Sequence, residues 1–109
     1  LKPLIMFDFK NTFGFSTKID FNKLVLAGAI ILDVRTKHEF SRGHITGSVN
    51  IPVLQLSNGL KNLKKGNAII TCCASGMRSA SSKKIFLSQG FNTVYNGGAW
   101  LGLKNKLKG

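Results

Sequence analysis

With 109 residues, 11.9 kDa and 43% hydrophobic residues, the chain can bury one core and no more than one. Sixteen Lys and Arg against four Asp and Glu give a formal net charge of +12, which favours anionic partners. This make-up excludes a disordered chain and a fibrous repeat, and a membrane-spanning segment is excluded because Lys, Asp or Gly breaks every long apolar run.

The N-terminal stretch 1–17 reads as a lead-in to a domain over 18–109. Four of its residues, Phe7, Phe9, Phe13 and Phe15, are aromatic without periodicity, and they are expected to pack on the domain edge. Asp20 caps a short helix carrying Phe21, Leu24 and Val25, which Gly28 closes. Ala29 to Leu32 is an apolar run too short for a helix, so it reads as a strand buried on both faces and ending in Asp33. Thr36 opens a short helix through His38, Glu39 and Phe40 that stops near Gly43.

Val49 to Ile51 is a further short strand, and Pro52 begins a helix. Lys61 to Gly66 is a polar connection, and Ala68 to Cys72 is a second buried strand. A helix is expected from Ser79 to Gln89, stopped by Gly90. Thr93 to Tyr95 is a strand, Asn96-Gly97-Gly98 a turn, and Ala99-Trp100-Leu101 the start of a last helix. Strands alternate with helices, which predicts a three-layer α/β/α fold around a mainly parallel sheet of about five strands. Ligands in such folds bind beyond the carboxyl ends of the strands.

Two strand ends carry chemistry, Asp33-Val34-Arg35 and Cys72 through Ser79. A cysteine between a buried strand and a helix start is favoured as thiolate by the helix dipole and unpaired N–H groups. Ala74, Ser75 and Gly76 are small enough for the chain to curl into an anion nest, which Arg78 closes with a fixed charge. The adjacent cysteines close no useful disulfide loop, and His38 and His44 match no zinc spacing, so no metal is expected. Three arginines without interleaved aromatics argue against a nucleic-acid platform.

In order and spacing, several stretches between about Phe21 and Trp100 resemble the single-domain rhodanese family of sulfurtransferases. They are Ile31-Leu32-Asp33-Val34-Arg35, His38-Glu39-Phe40, Gly43-His44-Ile45, Gly47 through Pro52, Cys73-Ala74-Ser75-Gly76-Met77-Arg78-Ser79 and Gly97-Gly98-Ala99-Trp100. The resemblance implies a persulfide on Cys73, with Ala74, Ser75, Gly76, Met77, Arg78 and Ser79 binding substrate and Asp33, Arg35 and Glu39 as structural support. It implies an anionic sulfur donor such as thiosulfate and a thiol, cyanide or protein acceptor. No cofactor is expected, because sulfur itself carries the exchanged group.

Cys72 stands where the family often has an aromatic residue, and it reads as an inert small hydrophobe. Cys73 reads as a solvent-facing loop residue. Counted from Cys72, the stretch has the Cys-x5-Arg spacing of tyrosine phosphatases, but the expected Gly three residues on is Ser75. Counted from Cys73 it is Gly76, and the six-residue loop favours sulfur. The chain is also compatible with a non-catalytic binding module or with a protein-to-protein persulfide carrier. A reactive thiol suits the cytoplasm. A periplasmic or membrane-tethered protein whose upstream segment has been removed is the second reading of location, since the chain starts at Leu1.

Overall fold

Asp20 accepts a hydrogen bond from the Lys23 backbone N–H and so caps α1 (Phe21–Leu26). Gly28, at a left-handed φ of 103°, lets the chain leave α1 for the sheet. The computed structural model describes residues 18–75 and 82–107. The lead-in 1–17, the loop residues Gly76, Met77, Arg78 and Ser79, and the expected helix start at Ser79 lie outside the described residues.

The strands are β1 (Ile30–Asp33), β2 (Val49–Asn50), β3 (Ile69–Cys73) and β4 (Val94–Ala99). They form one parallel sheet in the order β2-β1-β3-β4. Four strands are present among the described residues against the expected five or so, one for each apolar run read from the sequence. The central strands β1 and β3 are buried almost throughout, as their uninterrupted Ile and Leu content requires.

Helix α2 (Lys37–Ser41) follows β1 and begins with a capping box. Thr36 accepts from the Glu39 N–H while the Glu39 carboxylate accepts from the Thr36 N–H. The single helix expected after Pro52 is instead three short turns. A 3-10 turn at Val53–Gln55 leads into α3 (Leu56–Gly59) and a second 3-10 turn at Leu60–Asn62, which takes up the start of the expected polar connection. Asn58 and Gly59 are poor helix formers, and Gly59 lies so close to Ile51 that a Cβ there would meet the Ile51 side chain at 2.5 Å. Leu56 and Leu60, both fully buried, anchor this segment instead. Helix α4 (Lys83–Ser88) ends before Gly90, and α5 (Trp100–Lys106) follows β4 directly.

The expected turn at Asn96-Gly97-Gly98 is part of β4. Thr71 pairs with Asn96 but Cys73 pairs with Ala99, so β4 spends one residue more than β3 over this interval, a β-bulge. Gly97 is required there by close approach, because a Cβ would sit 2.7 Å from the Thr71 carbonyl oxygen and 2.9 Å from Leu103. Strand alternation then divides the core in two. One face carries Leu32, Val34, Ile69, Cys73, Phe86 and Phe91. The other carries Phe21, Ile31, Ile70, Cys72, Tyr95 and Leu103.

Candidate active site

The carboxyl ends of β1 and β3 lie side by side. Asp33 is the register partner of Cys72, and the Val34 N–H donates to the Cys72 carbonyl at 3.0 Å. Asp33 is fully buried and Arg35 nearly so. Arg35 Nε donates to Asp33 Oδ1 and Oδ2 at 2.9 and 3.0 Å, and Nη2 donates to Oδ2 at 2.7 Å. Such a charge-assisted fork is among the strong pairings available to a buried guanidinium. Arg35 also donates to the Gly43 carbonyl at 2.7 Å and to the Glu39 carbonyl at 3.4 Å. Its guanidinium carbon stands 4.5 Å from the Trp100 ring centroid. One side chain thus joins β1, α2 and α5, and hydrogen bonding to Asp33 raises its pKa further still.

Cys72 shares this face. Burial, followed by the negative charge of Asp33, pushes its thiol up to about 12 against the lowering influence of Arg35. It therefore keeps its proton through neutral and mildly alkaline solution and is a poor nucleophile there.

Cys73 points to the opposite face, in the apolar cluster with Leu32, Ile69 and Phe86. The expectation of a solvent-facing loop cysteine is corrected: Cys73 is the last residue of β3 and fully buried. The reason is that β3 continues through Cys73, paired with Ala99 across the bulge, and turns this side chain into the apolar cluster. Ala74 and Ser75, which follow it, are exposed. Neither cysteine forms a disulfide.

Glu39 lies on α2, where its side chain caps the helix and its carbonyl meets Arg35. His44 stacks on Phe40 with ring centroids 3.7 Å apart, and its Nδ1 is 2.8 Å from the Phe40 carbonyl oxygen. Sequence reasoning missed Asn50. Its side-chain amide donates to the carbonyls of Asp33 and Arg35, both at 2.9 Å, and so fastens the end of β1 to the edge strand. The signal available was a polar amide inside an otherwise apolar strand, directly before Ile51-Pro52. The Arg35–Trp100 stack was also missed, since it joins residues 65 positions apart with no local pattern.

The family model for the rhodanese-like domain matches residues 17–101. The chain belongs to the rhodanese-like domain family. Among curated relatives of this rhodanese-like domain, the thiosulfate sulfurtransferase GlpE of Stutzerimonas stutzeri (strain A1501) is 34% identical over 70 residues, 64% of each chain. The putative sulfur carrier protein YrkF of Bacillus subtilis (strain 168) is 36% identical over 66 residues, 61% of this chain and 36% of that one. The matched region therefore spans less than two thirds of either relative. Among solved structures, reduced CoADR-RHD of Bacillus anthracis aligns with a TM-score of 0.68 and 27% identity, covering 86% of this chain and 17% of that one. A rhodanese with anions from E. coli aligns at a TM-score of 0.63 and 23% identity over 69% of this chain and 91% of its own, a likeness of fold.

Proposed function

We propose that this domain is a sulfurtransferase that moves a sulfane sulfur from an anionic donor such as thiosulfate to a nucleophilic acceptor through a persulfide on Cys73. The observation that carries this reading is the division of the two thiols. Cys72 is held protonated against Asp33, whereas Cys73 sits on the other face at the very end of the central strand, next to exposed Ala74 and Ser75. That position, at the carboxyl edge of a parallel sheet, is where ligands of such folds bind.

In the first step the Cys73 thiolate attacks the outer sulfur of thiosulfate. A new S–S bond forms, the S–S bond of thiosulfate breaks, and sulfite leaves with the electron pair. In the second step cyanide or a thiolate attacks the outer persulfide sulfur, and Cys73 departs as thiolate. The backbone N–H groups of the loop from Ala74 to Ser79 and the Arg78 guanidinium are assigned to the anionic donor and to the persulfide. Asp33, Arg35 and Glu39 are assigned to holding the strand end in place. The relatives named for thiosulfate transfer support the donor, and the one named as a putative sulfur carrier supports a protein thiol as an acceptor. A thiol-dependent cycle suits the reducing cytoplasm.

The test is thiosulfate-to-cyanide transfer by two single variants. Cys73→Ser is expected to abolish turnover, while Cys72→Ser retains most of it. Equal loss in both would remove the assignment of the persulfide to Cys73.

A further inference from the structure

We propose that the surface built by α1 and the last turn of α5 docks this domain on an anionic lipid bilayer. Asn22, Val25 and Leu26 follow the three- and four-residue spacing of one helix side and line a groove of about 570 Å³ with Lys104 and Leu107 across it. Leu26 is 87% exposed, and Leu101, one turn before Lys104 on α5, is 57% exposed. The two helices are fastened by Asn22, whose side-chain amide donates to the Lys106 carbonyl at 2.8 Å.

Cations border these apolar residues. Lys106 Nζ lies 5.6 Å from the Phe21 ring centroid and Lys104 Nζ 5.8 Å from that of Trp100, so both stems run over apolar surface while the exposed side chains keep their charge at the water boundary. Lys18 and Lys23 are exposed on and beside α1. Asp20 is the one acidic residue in 18–26 and 100–107, and its carboxylate is engaged as the α1 cap.

Three features select a lipid surface over an acidic protein. Leu26, 87% exposed, projects from the groove into solvent, as insertion among headgroups requires. Every cation of the patch is Lys, a hydrated point charge suited to diffuse phosphate attraction, and Arg, which recognises carboxylates by a planar fork, is absent from 18–26 and 100–107. The net charge of +12 adds a long-range attraction toward an anionic surface. Since α1 and α5 pack on the Cys72 face, a docked domain directs the Cys73 face away from the bilayer.

Co-sedimentation of the full chain with phosphatidylcholine vesicles, and with vesicles of phosphatidylcholine mixed with phosphatidylglycerol, tests this. The chain is expected to partition onto the anionic vesicles only, and less as salt is raised. Replacing Lys104 and Lys106 by Gln should weaken partitioning by about fivefold for each lysine. Leu26→Glu should weaken it at least as much, with Leu26→Ser as a milder second variant and thermal melts verifying that each variant folds. Equal partitioning onto neutral vesicles would overturn the proposal, as would binding undiminished in both the leucine and lysine variants. A dimer formed without vesicles and dissociated by Leu26→Glu would also overturn it, by assigning the patch to a second copy of the chain.

Discussion

On one face of the sheet, Asp33, Arg35, Trp100 and the Gly43 carbonyl form a polar network beside Cys72. On the other, Cys73 lies in an apolar cluster with Leu32, Ile69 and Phe86 and ends its strand there. The two residues are identical and adjacent, and strand alternation alone sends them into opposite surroundings. The comparison separates two roles that their sequence adjacency conflates. The charged pair ties the strand end together on the Cys72 face, and Cys73, the sulfur proposed to react, lies on the other side of the sheet.

The largest effect on stability should come from breaking the network. Asp33→Ala leaves the buried Arg35 guanidinium without its carboxylate, and denaturant unfolding should report a loss of about 3–5 kcal/mol. Asp33→Asn, which keeps an acceptor for Arg35, should lose less. A change below about 1 kcal/mol in Asp33→Ala, the range of an exposed ion pair, would break the comparison.

A smaller loss is expected at the bulge that joins the two faces. Gly97→Ala puts a Cβ against the Thr71 carbonyl and Leu103, costing about 1–3 kcal/mol in the same unfolding experiment. Because the bulge brings Ala99 opposite Cys73, sulfur transfer should also slow in this variant. Unchanged stability together with unchanged transfer would show that the bulge does not set the strand end.

The smallest effect belongs to the α2 cap, which supports the network through the Glu39 and Gly43 carbonyls. Thr36→Ala should cost about 1 kcal/mol with little change in transfer, since the cap fastens the start of α2 and not the end of β3. A severe loss of transfer would connect α2 to the reacting sulfur.

Local signals in the sequence identify much of this arrangement. Asp20 and Thr36 stand before short amphipathic runs and cap the helices expected there. Uninterrupted Ile-Ile-Leu and Ile-Ile-Thr runs mark the two central strands and hence the edge at which Asp33 and Cys72 meet. What escapes is non-local. Asn96-Gly97-Gly98 has turn chemistry, and only the close approach of Thr71 and Leu103 makes it a bulged strand. Burial of Cys73 comes from Leu32 and Phe86, which other elements bring against it, so a reading from neighbours alone places the thiol in solvent. Asn50 and Trp100 reach the network across 15 and 65 positions of sequence from Arg35, distances at which no periodicity operates.

The central claim is that sulfur is carried on Cys73 and not on Cys72, and it is tested most directly by locating the sulfur. The full-length protein would be treated with thiosulfate, digested with trypsin and analysed by mass spectrometry. Both cysteines fall in the fragment from Gly66 to Arg78, so fragment ions that divide Cys72 from Cys73 decide between them. The account predicts one added sulfur, carried by ions that contain Cys73 and missing from those that contain only Cys72. Sulfur on Cys72, or on both residues equally, would contradict it.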